Sequence, residues 1–280
     1  VVSALGMSPI PGATVTISYT GDPDSPIETL TTDESGQTPE INLKAPPREL
    51  SLTPDITEQP YSEYNIQVTA EGFETVLVSG SEILAGAYSL QPIRMNPLDV
   101  TEEEEKVVVI PPHTLFGEYP PKIPEEEIKP MNETGEIVLS RVVIPEYVIV
   151  HDGDPEDPTA RNYWVRYKDY IKNVASSEIY PTWSESAIYA NILVIQSFTL
   201  NRVFTEWYRG KGYDFTITSS TAYDQKWIYG RNVFEEIDYL VDSIFTNYLS
   251  RPGVRQPIFT SYCDGNRTTC RGLSQWGSQS

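Results

Sequence analysis

Val174-Ala-Ser-Ser-Glu-Ile-Tyr-Pro-Thr-Trp183 sets one carboxylate, Glu178, at a break between two helical patterns. A residue preceding proline is disfavoured in helical backbone, so Tyr180-Pro181 predicts an interruption. Upstream, Tyr170, Ile171 and Val174 recur at helical spacing, which puts Glu178 at the C-terminal end of the first helix. The partial negative charge of that end tends to raise a carboxyl pKa. Downstream, Thr182-Trp-Ser-Glu185 has the form of a capping box, with Ser184 as a second N-cap candidate. The helix that follows, from Ala187 through Ile192, Ile195 and Phe198 to Trp207, is apolar nearly all round. Such a helix is buried on most sides. Glu178 is thus expected to have rigid support on both flanks.

The rest of the chain divides by composition. All five Trp and both Cys fall after residue 140. Residues 1–97 hold 13 acidic and 3 basic side chains, residues 98–140 hold 11 and 3, and residues 141–280 hold 16 and 14. The formal charge of -20 therefore belongs to the front of the chain. No segment offers the Lys/Arg face that phosphate binding needs, so nucleic acid is not an expected partner. No apolar run reaches membrane-spanning length, and no signal peptide opens the chain, which begins at Val1 and reads as a processed or trimmed product.

Residues 1–97 read as an all-β sandwich. Short alternating runs, Ala13–Tyr19, Glu40–Leu43, Tyr64–Ala70 and Phe73–Val78, are separated by turn chemistry at Pro11-Gly12, Gly21-Asp-Pro-Asp24 and Asp33-Glu-Ser-Gly36. Residues 98–140 are acidic and proline-rich, with Glu102-Glu-Glu-Glu105 and Pro124-Glu-Glu-Glu127 around short apolar pieces such as Val107-Val-Val-Ile110. Such sequence resists a compact core and reads as a linker, its apolar pieces serving as edge-strand candidates.

Residues 141–280 mix strands and helices and read as an α+β domain. Strands are expected at Val142-Val-Ile, Tyr147–Val150, Tyr163–Tyr167, Tyr213–Thr218 and through Ile258 and Phe259, and a further helix opens at Asn232-Val-Phe-Glu235. His151-Asp-Gly-Asp-Pro-Glu-Asp157 lacks the closing Glu of a calcium loop and reads as an Asp-Gly turn. Cys263 and Cys270 enclose six residues with no His or further Cys nearby, so a local disulfide or two free thiols is expected rather than a metal. No cofactor is expected.

Two family resemblances follow from these motifs. Pro9-Ile-Pro-Gly-Ala-Thr-Val-Thr-Ile17, Thr31-Thr-Asp-Glu-Ser-Gly-Gln37 and Val68-Thr-Ala-Glu-Gly-Phe73 resemble the carboxypeptidase-regulatory-like, transthyretin-like sandwich. That module implies a spacer or a contact surface for a cell-wall or protein partner. Glu178-Ile-Tyr-Pro-Thr-Trp183, the long helix after it, the stretch Asn232 to Phe259 and the terminal Gly272-Leu-Ser-Gln-Trp-Gly277 occur in the order seen in the SpoIID/LytB domain. That domain is found in sporulation and cell-wall proteins of Gram-positive bacteria. The chain carries Asn191 and Gln196 where the family commonly has Gln and Arg, and Thr268-Thr-Cys-Arg271 where it tends to have Gly-His-Gly. Family domains continue past the signature, which implies a domain cut short at its C-terminus.

What the resemblance implies is an extracellular or cell-wall-associated protein acting on peptidoglycan glycan strands as a lytic transglycosylase, with Glu178 as the catalytic acid. Tyr180, Trp183, Gln196, Tyr262, Ser274 and Gln275 are then the substrate-binding candidates. The alternative is a non-catalytic wall-binding or spore-surface assembly protein that keeps the fold.

Overall fold

A computed structural model describes residues 1–100, 104–120, 122 and 139–280. The runs Glu102-Glu103 and Pro124–Glu127, read above as part of a linker, lie outside the described residues. The chain forms two compact units. The first comprises residues 1–51, 56–112 and 229–235, and the second comprises 52–55, 113–228 and 236–280.

The first unit is built on β1 (Val2–Ser3), β2 (Thr14–Tyr19), β3 (Asp22–Thr31), β4 (Ser62–Thr69), β5 (Thr75–Ile83), β6 (Ser89–Leu90), β7 (Arg94–Met95) and β8 (Glu105–Val109). A five-stranded sheet runs in the order β3-β2-β4-β5-β8, antiparallel except for the parallel β5/β8 pair. Alternation places Val15, Ile17, Tyr64, Val68, Val76 and Val78 inward, which is what a sheet with one buried face requires. Glu105–Val109, inside the stretch read as a linker, is the edge strand: Val108 is buried while Val107 and Val109 face solvent.

Two expectations for this unit are corrected. Glu40–Leu43 is not a strand, and the segment from Asp22, read only as a turn, continues as the ten-residue β3. Two prolines and two aspartates in its first half hide the strand from propensity, and all of β3 but Leu30 is exposed, as an edge strand tolerates. Residues 229–235 return to this unit late in the chain. There Val233–Phe234 (β12) pairs with β6, and Asn232 bonds both the N–H and the C=O of Glu82.

The second unit holds β9 (Tyr147–His151), β10 (Asn162–Arg166), β11 (Ile217–Thr218), β13 (Tyr262–Cys263) and β14 (Leu273–Ser274), with α1 (Tyr167–Glu178), α2 (Glu185–Phe204), α3 (Glu235–Ile244, its first residue belonging to the other unit) and α4 (Gln275–Gln279). Its sheet runs β10-β9-β11, with β10 antiparallel and β11 parallel to β9. Val148, Val150, Ile171, Val174, Ile192, Ile195 and Ile217 form its interior. No strand forms at Val142–Ile144 or Ile258–Phe259, and of Tyr213–Thr218 only the last two residues pair. Periodicity alone does not settle the state of such short apolar runs, and none of the residues at Val142–Ile144 and Ile258–Phe259 is fully buried. The chain as a whole is therefore mixed, with several small sheets and four helices among the described residues.

Candidate functional site

Glu178 is the last residue of α1. Ile179 then turns to extended backbone and gives its N–H to the carbonyl of Ala175 at 3.0 Å, closing the helix ahead of Tyr180-Pro181. The next helix begins on Ser184, whose Oγ accepts from the Ala187 N–H at 3.3 Å. The Thr182–Glu185 capping box does not form, because Ser184 takes the N-cap and leaves Glu185 as the first helical residue.

The Glu178 side chain is sealed, at 2 % exposure. Its Oε1 accepts the backbone N–H of Lys226 at 2.9 Å. Its Oε2 and the buried Tyr262 hydroxyl beside it have no hydrogen-bond partner among the described residues. The Tyr262 hydroxyl is near enough to Glu178 to act as a weak donor that favours its charged form, without closing a bond of good geometry. Burial holds the Glu178 carboxyl above the ordinary glutamate range, and the positive charge of Lys122 and the Lys226 N–H, which pull it down, do not cancel that rise. The Tyr262 hydroxyl is pushed well up, first by burial and then by Glu178. Lys226 is itself lowered by burial, against the pull of Asp152 and Glu178.

His113, Thr114 and Lys122 lie near this carboxyl. His113 Nε2 lies 3.1 Å from the carbonyl oxygen of Ser176, the Thr114 N–H donates to the carbonyl of Ser177, and the His113 ring packs 4.5 Å from the Tyr180 ring. Lys122 Nζ donates to the Asp224 carbonyl at 2.9 Å and sits 5.2 Å over the Tyr262 ring. The Tyr119 hydroxyl is pushed up by burial and by the negative charge of Glu178 and Asp264.

Tyr262 and Cys263 pair with Leu273 and Ser274, which brings the terminal signature to the same place. Cys263 and Cys270 are joined in a disulfide. Within that loop Asp264 is fully buried, and burial would raise its carboxyl, but the N–H groups of Thr268 and Asn266 and the Arg267 guanidinium outweigh it and hold the pKa low. Ser274 Oγ accepts the Gly277 N–H at 2.9 Å and caps α4. Gln275 is buried, and its Oε1 has no hydrogen-bond partner among the described residues. Gly272 is required by packing, since a Cβ there would lie 1.8 Å from the Ser261 carbonyl oxygen.

The candidate residues separate on this geometry. Glu178 and Tyr262 meet, and Ser274 pairs with Cys263, the residue after Tyr262, while Gln275 begins α4. Tyr180 and Trp183 are core rings, packed with Trp276 at centroid distances of 6.2 and 4.9 Å, and expose no face for a sugar. Gln196 does not reach Glu178's hydrogen-bond shell: its Nε2 donates to the carbonyls of Ile244 and Asn247 at 2.9 and 2.7 Å. The residues missed by pattern reading are Lys122, Lys226 and Arg267, which sit in stretches with no period to reveal them. A separate cavity of about 90 Å³, lined in part by Tyr147, Glu206, Trp207 and Arg209, does not include Glu178 and is smaller than ligand sites of ~300–1,000 Å³. Among the described residues no three His, Cys, Asp or Glu side chains gather as metal ligands, and no helix is long and apolar enough to cross a membrane. Comparisons of the chain with protein families, with curated proteins and with solved structures find no match.

Proposed function

We propose that this chain is an exported, cell-wall-associated protein that cleaves peptidoglycan glycan strands as a lytic transglycosylase, with Glu178 as its single acid and base. One observation carries the reading: a buried carboxyl whose pKa is raised, with one oxygen fixed by a backbone N–H and the other without a hydrogen-bond partner among the described residues. A general acid must hold its proton near neutral pH, and burial supplies that. Ordinary glycosidases pair two carboxylates. Here Glu178 would protonate the glycosidic oxygen, and the substrate's own C6 hydroxyl would attack C1 and return its proton to Glu178. The products are a 1,6-anhydro ring and a free hydroxyl, with the carboxyl restored. The resemblance to the SpoIID/LytB domain agrees with this chemistry. The front unit would serve as a transthyretin-like spacer or as a contact for a wall partner.

A second reading is favoured by Gln196. The family's Arg position is occupied by a buried amide committed to two carbonyls, which suits a wall-binding or assembly protein that keeps the fold without the reaction. Incubation with purified glycan strands followed by mass spectrometry separates the two. The first reading expects slow formation of anhydro-muramyl ends by the wild type and none by Glu178→Gln. Equal yields from both proteins would remove Glu178 from the chemistry. No product from either, together with co-sedimentation on cell walls, would leave the second reading.

A further inference from the structure

One face of the β9/β10 pair leaves an indole in solvent. Register sets Trp164 opposite Ile149 and Arg166 opposite Tyr147, so these four side chains share that face. Trp164 is 70 % exposed and Tyr147 38 %. Their ring centroids lie 6.5 Å apart with the planes at 63°, and the Arg166 guanidinium sits 5.6 Å from the Tyr147 centroid. Ile149, between them on the same face, packs on Trp207, Tyr208 and Phe215. These contacts orient both rings in advance, which lowers the cost of binding to them. Tyr147 is also one wall of the cavity of about 90 Å³, so the exposed rings and the cavity adjoin. Glu206 and Arg209, 3.6 Å apart, line that cavity, and Lys211 Nζ lies 3.7 Å from the Trp207 ring centroid. Groups of both charge signs therefore stand beside the aromatic surface.

We propose that Trp164, Tyr147 and this cavity form a glycan-binding surface apart from Glu178, on which a pyranose ring stacks against the aromatic rings while one of its substituents enters the cavity. A pyranose carries C–H bonds on one face and hydroxyl groups around its edge. An aromatic face with hydrogen-bonding side chains beside it is the complement of that shape. The surface is too small for a protein partner: at these exposures the two rings leave at most ~300 Å² open, against ~800 Å² a side in a stable interface. The cavity alone is below the ~300–1,000 Å³ of a small-molecule site, which suits a substituent such as an acyl group and not a whole ligand. The carboxylate of Glu206 beside the Arg209 guanidinium offers acceptors and donors without selecting an anion or a cation.

That the glycan is a peptidoglycan strand rests on the transglycosylase reading, and the test keeps the two apart. Binding of a β-1,4-linked N-acetylglucosamine tetramer is measured by titration calorimetry, and binding of purified glycan strands by co-sedimentation, for the full chain and for Trp164→Ala, Tyr147→Ala and Trp164→Phe. Tyr239→Ala, which removes an equally exposed ring from α3, is the control. Trp164 is exposed, so its replacement is expected to leave the fold intact, as circular dichroism verifies. Trp164→Ala is expected to weaken binding about tenfold or more, the loss typical of an aromatic anchor, while Trp164→Phe retains most of it and Tyr239→Ala all of it. No binding of either probe by wild type overturns the surface, as does unchanged binding in both alanine variants of the face or an equal loss in Tyr239→Ala. Binding that depends on Trp164, with no anhydro-muramyl ends formed by any of the proteins, keeps the surface and overturns the transglycosylase reading instead.

Discussion

Arg202 Nε lies 2.7 Å from Asp224 Oδ1, with both side chains buried. The other Asp224 oxygen accepts from the Tyr208 hydroxyl, the Thr218 N–H and the Thr218 hydroxyl at 2.7, 2.9 and 2.7 Å. The guanidinium is flanked by Phe198, Trp207, Tyr208 and Phe259. This pair joins α2 to the loop that ends at Lys226, and so fixes the N–H that holds Glu178. The buried ion pair and its hydrogen bonds are the physical reason a polar loop can sit in the interior.

Asp224→Ala is therefore expected to cost about 3–5 kcal/mol, because it leaves a guanidinium buried without its carboxylate. Chemical denaturation measures the loss. A cost below ~1 kcal/mol, the range of surface ion pairs, would show that the pair is not sealed.

Replacing Cys263 and Cys270 with serine removes a closure seven residues apart in sequence. Chain-entropy reasoning for so short a loop gives a loss of about 2–3 kcal/mol. The same double substitution should increase hydrogen exchange at the Asn266 and Thr268 amides, which now depend on the position of Asp264. Unchanged exchange there would mean that the loop holds its shape without the crosslink.

The long elements of this chain are legible in its sequence because they carry a period. The break at Tyr180-Pro181 places the end of α1, and the apolar content of α2 announces its burial. The alternation of Thr14–Tyr19 and Ser62–Thr69 marks the central strands of the sheet. What escapes is made by tertiary partners. Val233–Phe234 becomes a strand only because Ser89–Leu90 supplies a ladder, and Glu105–Val109 only because Thr75–Ile83 does. Glu178 itself could be singled out, but its surroundings could not. Lys226 contributes its backbone N–H, which every residue possesses, and Arg267 acts through carbonyls more than a hundred residues away. Trp183 and Tyr180 look like sugar platforms by residue type, yet their neighbours Trp276 and His113 bury them.

Glu82 gives the first unit a pH dependence. Its carboxyl is fully buried, lies 3.1 Å from the Arg231 guanidinium and stands opposite Glu63 in the β4/β5 ladder. Burial raises its pKa from 4.5 to about 7, Arg231 opposing and Glu63 adding to the rise. A folded pKa above the unfolded one means that the native state holds the proton longer, so this group's contribution is full below pH 4.5 and is lost as pH climbs through about 7. The shift corresponds to a ceiling of roughly 3 kcal/mol. Glu82→Gln does not titrate, so its deficit relative to wild type should shrink between pH 5 and 8 by an amount on the order of that ceiling. Denaturation at a series of pH values tests the sign, and a deficit that grows with pH would contradict it.

The same linkage sets an expectation for Glu178 that needs no catalytic assay. Its folded pKa is raised chiefly by burial, with Lys122, the Lys226 N–H and Tyr262 opposing. Stability from this group is therefore present below the ordinary glutamate range and declines as pH rises through the higher folded value. In Glu178→Gln the amide oxygen can still accept from the Lys226 N–H, so the substitution removes the titration and keeps the contact. The variant should gain on wild type as pH increases from about 4 to 8, the reverse of a salt-bridged carboxylate, whose protecting charge is lost in acid. A wild type that gains on the variant over that range would mean that Lys122 holds Glu178 ionised. An ionised Glu178 could not donate the proton that cleavage of a glycosidic bond requires, so the stability profile bears directly on the acid role.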